Sequence, residues 1–160
     1  MLEHAITQAQ AAQKRHAARP VSARAALVEA YADALANLRG ELIETLAVDA
    51  RKTIKDASAE VDASIDILRK TIRDTSLPEL AEMQREKRRA PAGIIGLITS
   101  FNFPVVVAHW NIAPALLAGN AVLWKPSEKT PAAALLCKKI FDGAAAEWAG
   151  LLHVLSGGRE

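Results

Sequence analysis

The sequence has little cysteine, few aromatic residues and no marked excess of charge of either sign. A single cysteine, Cys137, excludes both a disulfide framework within these 160 residues and a metal site made of several cysteines. The formal net charge is +2, and the basic cluster at residues 85–89 is interrupted by Glu86 and has no aromatic side chains between its cations. We therefore expect no nucleic-acid partner, although the sequence pI is about 8.8.

Charged residues are missing altogether from residues 90–124. A run of this length raises the hypothesis of a membrane span, but prolines, asparagines and glycines interrupt it, and no apolar stretch of about 18 residues remains. We interpret the run as the buried core of an α/β fold, whose parallel strands are apolar on both faces. No basic region followed by an apolar one opens the chain, so we expect no signal peptide, no membrane partner and a cytoplasmic location.

The density of charge divides the chain near residue 90. Residues 1–90 carry 15 Lys or Arg and 14 Asp or Glu, whereas residues 91–160 carry 5 and 4. In the first part, apolar residues recur at helical spacing over 27–46, with a weak point at Gly40, and again over 61–72. We predict an amphipathic helix for each, with Ser22 as the first N-cap and an end before Pro78, and a further helix at 2–18.

The second part changes to short segments rich in β-branched residues. Strands are predicted at 94–99, 121–125 and 152–155. A helix that starts at Pro104, is kinked or restarted at Pro114 and is capped by Gly119 separates the first two strands. A helix starting at Thr130 and Pro131 separates the last two. The fold class is therefore α/β, with a helical segment at residues 1–90 and a parallel β-α-β-α-β unit at residues 91–160, both in one domain.

Polar residues follow the first two predicted strands, where α/β proteins bind their ligands. The G-x-G-x-x-G and G-x-x-x-x-G-K-[ST] motifs are both absent, which disfavours a standard Rossmann reductase and a P-loop NTPase. Asn102 is a candidate donor to negative charge developing on an oxygen, although its spacing alone favours a turn residue or helix N-cap. Lys125 and Glu128 are candidates for binding ribose hydroxyls, although taken alone they favour a solvated surface pair.

Other reactive side chains are expected to be structural. Cys137 falls in the middle of a predicted helix with no histidine nearby in sequence, so we predict a buried thiol rather than a nucleophile. His109 and His153 lie in apolar surroundings without a partner at metal-ligand spacing, which favours core histidines over a metal site. His16 is predicted to lie on an exposed helix face.

Two longer motifs carry a resemblance to a known family. They are P-A-G-I-I-G-L-I-T-S-F-N-F-P at 91–104 and W-N-I-A-P-A-L-L-A-G-N-A-V-L-W-K-P-S-E-K-T-P at 110–131. With D-A-R-K-T-I-K-D-A-S-A-E-V-D-A-S-I-D-I-L-R upstream and L-L-H-V-L-S-G-G downstream, the sequence resembles the aldehyde dehydrogenase superfamily over about residues 20–160. The resemblance implies an incomplete Rossmann-like unit of the aldehyde dehydrogenase type. It also implies oxidation of an aldehyde or semialdehyde to a carboxylic acid with NAD or NADP.

The resemblance also implies roles for individual residues. Asn102 matches the asparagine whose side-chain amide helps to hold the oxyanion formed during catalysis. The implied cofactor-binding residues are a wall along the cofactor and the loop that binds the adenosine ribose: Ile98, Thr99, Ser100 and Phe101, then Lys125, Ser127 and Glu128. The Glu128 carboxylate would repel a 2′-phosphate, which favours NAD over NADP. The family also implies a homo-oligomer.

The sequence departs from the family's pattern at several points. Ser100 stands where many members have proline, Asn111 where many have lysine, and Arg51 where a glycine is common. The F-N-F-P and W-N pair resembles the branch related to aminoadipate semialdehyde dehydrogenase. No residue of the 160 matches the family's catalytic glutamate or cysteine, so we expect this chain alone not to oxidise aldehydes. The alternative is a non-catalytic nucleotide-binding or subunit-interaction module.

Overall fold

The computed structural model describes residues 2–157, which contain seven α-helices, three β-strands and one turn of 3₁₀-helix. Five helices come first: α1 (Leu2–Ala17), α2 (Val21–Asn37), α3 (Arg39–Asp49), α4 (Ile54–Arg73) and α5 (Leu77–Arg85). Strands and helices then alternate as β1 (Ile94–Ile98), α6 (Val106–Leu117), β2 (Ala121–Lys125), α7 (Pro131–Ala144), the 3₁₀ turn (Ala146–Trp148) and β3 (Leu152–Val154). This order confirms the predicted α/β fold.

The three strands form one parallel sheet in the order β1-β2-β3. In the central strand, Trp124 lies opposite both Leu97 of β1 and Val154 of β3. Residues 121–124 of β2 are buried, whereas Leu97 is the one buried residue of β1, and Ile98 is 83% exposed. The prediction of a buried first strand is therefore wrong, because β1 is an edge strand with a partner on one side within the described residues.

Helix α4 packs against α2, α3 and α6. Its buried apolar residues include Val61, Ile65 and Leu68, as the spacing predicted. Thr53 caps its first turn by accepting a hydrogen bond from the Asp56 N–H at 3.1 Å. Side chains from the five leading helices and from the sheet share one hydrophobic core. Helix α4 packs directly against α6 and so supports it from one side.

The apolar periodicity over residues 27–46 belongs to two helices rather than one. The break falls at Leu38, and Gly40 lies in the first turn of α3. Helix α2 begins at Val21 with Pro20 at its N-cap, so the N-cap role predicted for Ser22 is wrong. The spacing continues across the break because α2 and α3 both pack against α4 and α7.

Two prolines occupy positions other than those predicted. Pro78 lies in the first turn of an additional helix, α5, after α4 has ended at Arg73. Pro104 lies two residues before α6 rather than at its first position, and Pro114 lies inside α6 without ending it. Proline suits a first helical turn because the missing N–H would have no partner within the helix there. The pattern around Pro78 therefore has two interpretations, a helix end and a helix start.

Arg51, at the connection between α3 and α4, adopts a backbone conformation that glycine favours. Its φ is 52°, in the left-handed region. A residue with a Cβ atom costs roughly 1–2 kcal/mol in this conformation. The arginine that replaces the family's common glycine therefore strains this connection without preventing it from forming.

His16 is buried, contrary to the prediction of an exposed position. Its Nε2 lies 2.7 Å from the Leu116 carbonyl oxygen, and its ring packs edge-on against Trp148 with centroids 5.0 Å apart. Burial lowers the pKa of His16 to about 4, so the ring is neutral near neutral pH. The burial of His16 could not be predicted from the sequence because the other buried residues of α1 are alanines, which give the helix only a weak apolar face.

Candidate functional site

Two loops lie side by side at the carboxyl ends of β1 and β2. We call residues 99–105 the β1 loop and residues 126–130 the β2 loop. The Thr99 N–H donates to the Lys125 carbonyl oxygen at 3.2 Å, which extends the strand pairing to the point where the loops begin. Further out, the Lys129 ammonium lies 4.8 Å from the centre of the Phe101 ring. The structure thus brings the two groups of residues predicted from the sequence to one edge of the sheet.

The β1 loop presents Asn102 to solvent. The Ser100 hydroxyl donates to Asn102 Oδ1 at 2.6 Å, and within residues 2–157 no protein group accepts a hydrogen bond from the Asn102 amide nitrogen. Helix α6 begins only at Val106 and has Val105 at its N-cap, which excludes a helix N-cap as the role of Asn102. Because Oδ1 is occupied by Ser100, the two N–H groups of the amide are available to an oxygen atom of a ligand.

The start of the β1 loop is fixed by a side chain of the central strand. Trp124 is fully buried, and its Nε1–H donates to Thr99 Oγ1 at 2.9 Å. Thr99 is itself 6% exposed, while Ser100 and Phe101 after it are exposed. The exposed residues Ile98, Ser100 and Phe101 therefore form an open surface along the end of β1, and the buried Thr99 between them is held by one hydrogen bond.

Lys125 at the end of β2 and Glu128 in the β2 loop lie near each other without forming a tight ion pair. Lys125 Nζ lies 3.9 Å from Glu128 Oε2 and donates to the Pro126 carbonyl oxygen at 2.5 Å. The Glu128 side chain is 64% exposed, so the pair contributes little to stability. The hydroxyl of Ser127 accepts from the Lys129 N–H at 3.2 Å and shapes the turn. Both charged groups remain accessible to a ligand.

A groove of about 430 Å³ adjoins Asn102 between α4 and the β1 loop. Its polar lining residues include Lys52, Asp56 and Glu60, and Phe103 forms part of its apolar wall. Sequence reasoning missed Glu60 and Lys52. Glu60 is 4% exposed and lies four residues before the buried Ser64, on the same face of α4. A charged residue on the buried face of a helix was the sequence signal that could have pointed to a role for Glu60.

The reactive side chains outside the loops are structural. Cys137 is fully buried, as predicted, and burial raises the pKa of its thiol to about 12. His109 is also fully buried: Nε2 lies 2.8 Å from the Tyr31 hydroxyl, and Nδ1 lies 2.9 Å from the Val105 carbonyl oxygen. Burial lowers the pKa of His109 to about 4, which keeps the ring neutral. Within residues 2–157, His, Cys, Asp and Glu form no group of three suited to a metal ion.

Among residues 2–157, no helix combines the length and the apolar character needed to cross a membrane. The longest helix, α4, has 20 residues and carries charged residues along its length.

A parallel sheet with polar loops at its carboxyl edge is the arrangement in which α/β proteins bind nucleotides. Comparison with known proteins makes the class specific. The family model described as "Aldehyde dehydrogenase family" matches residues 1–160, and the chain belongs to this family.

Curated relatives and solved structures agree with this assignment. The N-succinylglutamate 5-semialdehyde dehydrogenase of Erwinia tasmaniensis is 37% identical over 146 residues, which cover 90% of this chain and 30% of the relative. The protein of the same name from Ectopseudomonas mendocina is 35% identical and covers 99% of this chain and 34% of its own length. The chain thus spans about a third of the curated relatives that it matches. The branch related to aminoadipate semialdehyde dehydrogenase, expected from F-N-F-P and W-N, finds no support in these names.

The solved structures match both the fold and the expected cofactor class. The glyceraldehyde-3-phosphate dehydrogenase of Methanocaldococcus jannaschii, solved with NADP, is 29% identical with a TM-score of 0.81 and covers 98% of this chain and 36% of its own. Aldehyde dehydrogenase 21 of Physcomitrella patens, solved with the product succinate, is 27% identical with a TM-score of 0.83 and covers 99% of this chain and 35% of its own. The expectation of NAD or NADP agrees with these solved relatives, one of which was solved with NADP.

Proposed function

We propose that these 160 residues are part of an enzyme that oxidises an aldehyde to a carboxylic acid with NAD or NADP. The observation that carries the proposal is the placement of Asn102 and of the Lys125 and Glu128 pair on adjacent loops at one sheet edge. An amide donor and a pair that binds the adenosine ribose must lie along the same edge of the sheet, because the cofactor extends from its adenosine ribose to the nicotinamide that meets the reacting carbonyl. Residues 1–90 and 91–160 are proposed to belong to one domain, since both contribute to one core.

Asn102 is assigned to stabilise charge. When a nucleophile attacks an aldehyde, negative charge develops on the carbonyl oxygen, and preorganised N–H donors lower the energy of that state. In this structure the Ser100 hydroxyl occupies Asn102 Oδ1 and leaves the amide nitrogen as donor. NAD or NADP, when bound, supplies the hydride acceptor. The wall formed by Ile98, Thr99, Ser100 and Phe101 would line the cofactor.

Lys125 and Glu128 are assigned to the adenosine ribose, with Ser127 shaping the loop between them. An ammonium donates to a hydroxyl and a carboxylate accepts from one, so the pair can bind both ribose hydroxyls. A 2′-phosphate would meet the Glu128 carboxylate, which favours NAD over NADP. The substrate class proposed is a semialdehyde, in keeping with the names of the curated relatives. A homo-oligomer and a cytoplasmic location remain predictions for the whole protein.

The cofactor assignment is tested by calorimetric titration of the 160-residue chain with NAD. We expect the double variant Lys125→Ala, Glu128→Ala to bind NAD at least about tenfold more weakly than the unaltered chain, because each lost hydrogen bond to a charged group contributes about 1.5–3 kcal/mol. The matched control is Lys138→Ala, Asp142→Ala, which removes a Lys–Asp pair from α7. Equal affinities for the unaltered chain and the Lys125, Glu128 variant would remove the nucleotide site from this proposal.

A second prediction concerns turnover. The one thiol of these 160 residues, Cys137, is buried with a raised pKa, so it cannot serve as a thiolate nucleophile. We expect the purified 160-residue chain to form no NADH from NAD and an aldehyde, as measured by absorbance at 340 nm. We also expect Cys137 to react with a thiol reagent only after the chain is unfolded. Aldehyde-dependent NADH formation would contradict this assignment. NAD binding without turnover would favour a non-catalytic nucleotide-binding module when the chain acts alone.

A further inference from the structure

The segment that carries Asn102 has few contacts of its own. Phe101 is 51% exposed and Phe103 49%, and the hydrogen bond from Ser100 to Asn102 is the one side-chain hydrogen bond between residues of the segment 100–104 in the described part of the chain. A loop of this kind samples many conformations unless its ends are held. The position of Asn102 therefore depends on the two anchors of the loop, Trp124 with Thr99 at the β1 end and a second group at the α6 end.

The second anchor is the carboxylate of Glu60. Its Oε1 accepts hydrogen bonds from the N–H groups of Val105 at 2.9 Å and Val106 at 3.1 Å. The Glu60 side chain is 1% exposed, and its Oε2 is bound by the Lys52 ammonium. A buried carboxylate that accepts two backbone N–H groups at a helix start is held by strong, charge-assisted hydrogen bonds and by the helix dipole.

Helix α6 has no cap of its own. Val105 at the N-cap offers no side-chain acceptor, and the residues before it are Phe103 and Pro104. The cap comes instead from α4, 45 residues earlier in the chain. The end of the β1 loop is thus tied to a rigid neighbouring helix.

Lys52 extends the same anchor towards Asn102. Its ammonium lies 4.2 Å from the centre of the Phe103 ring, in a cation–π arrangement, while it binds Glu60. The Lys52 side chain is 14% exposed. One cluster, Glu60 with Lys52, therefore contacts both the residue next to Asn102 and the backbone that follows the loop.

We propose that Glu60, acting with Lys52, is a positioning residue that holds Asn102 at the carboxyl end of β1. The inference rests on the proposed function for the role of Asn102, but its geometry does not depend on a bound cofactor. Glu60 lines the groove beside Asn102, but its side-chain hydrogen bonds go to Val105, Val106 and Lys52 rather than to Asn102. It acts through the Val105 and Val106 N–H groups and through Phe103.

The test uses the 160-residue chain labelled with ¹⁵N, without nucleotide or aldehyde. Relaxation of the Asn102 side-chain amide and hydrogen exchange at the Val105 and Val106 amides are measured in the unaltered chain and in Glu60→Ala. We expect the Asn102 order parameter to fall below about 0.6 in the variant. Hydrogen exchange at each of the two backbone amides should accelerate about tenfold, because each amide loses one hydrogen bond. Asp66→Ala, at an exposed position of α4, is the matched control and should change neither quantity.

Two further variants separate positioning from general stability. Glu60→Gln keeps an oxygen acceptor for the two N–H groups and should restore most of the protection, while Lys52→Met should mobilise Asn102 with smaller effects at Val105 and Val106. They also carry the test if Glu60→Ala does not fold. An Asn102 amide that is mobile in the unaltered chain would overturn the proposal. So would an order parameter that is unchanged in Lys52→Met and, where that variant folds, in Glu60→Ala. Failure of NAD binding would leave this result unaffected, since no nucleotide is present.

Discussion

Replacement of Trp124 by alanine is expected to lower the free energy of unfolding by about 3–5 kcal/mol. Trp124 is the largest fully buried side chain and lies in the central strand, between Leu97 and Val154. The substitution leaves a cavity that the surrounding sheet and helices can fill only in part. It also removes the hydrogen bond from Nε1 to the hydroxyl of Thr99. Because Thr99 is only 6% exposed, its hydroxyl then loses a buried partner. Urea denaturation followed by circular dichroism measures the difference.

Trp110 provides the matched control. It is 66% exposed on α6, and Trp110→Ala should change the free energy of unfolding by less than about 1 kcal/mol. Trp124→Phe keeps most of the volume and loses the Nε1 donor, so it separates the cavity from the hydrogen bond. Similar losses in Trp124→Ala and Trp110→Ala would contradict the central position assigned to Trp124.

The role of Trp124 shows how stability and site geometry are joined. Its ring supports the core of the sheet, and its Nε1 fixes Thr99, the first residue of the β1 loop. Glu60 fixes the other end of that loop. The loop that carries Asn102 is thus short, exposed and held at both ends by buried polar groups. Polar groups of this kind are costly to leave unpaired, which gives the loop one preferred arrangement.

Much of the alternating part of the fold was predictable from local pattern. The bounds of β2, Ala121–Lys125, match the predicted 121–125, and α7 begins at Pro131 as the Thr130-Pro131 pair indicated. These elements have strong local signals, a short apolar run between glycine and proline and a proline at a helix start. The break at Leu38 has no such signal, and Pro78 is compatible with both a helix end and a helix start. They depend on how α2, α3 and α5 pack against elements distant in sequence, which a periodicity count does not contain.

Part of the candidate site was predictable from the sequence, and part was not. Asn102, Lys125 and Glu128 follow strands directly, so strand order alone places them at one edge, and the family resemblance names their roles. Glu60 and Lys52 lie more than 40 residues before the groups that they hold. Nothing in the spacing of the sequence links α4 to the start of α6. The helix-start signals that usually reveal a cap were absent because the cap comes from another helix.

The last prediction concerns Gly119, which ends α6 and leads into β2. Gly119→Ala is expected to lower the free energy of unfolding by about 2–4 kcal/mol, from left-handed backbone strain and from displacement of a buried charged group. Gly119 has a φ of +94°, and a Cβ atom there would lie 2.3 Å from Arg24 Nη1. Arg24 is 1% exposed, and its Nη2 donates to Gln84 Oε1 at 2.5 Å. A shift of the guanidinium away from the added Cβ atom would disturb that hydrogen bond.

Gly40→Ala is the control, because the same substitution should have the opposite sign there. Gly40 lies in the first turn of α3, and a Cβ atom would meet nothing within 4 Å. Alanine favours the helix over glycine by about 0.5–1 kcal/mol, so the variant should be slightly more stable. Urea denaturation of both variants measures the two signs. A loss at Gly40 as large as that at Gly119 would show that the close approach of Arg24 to the end of α6 does not determine the cost.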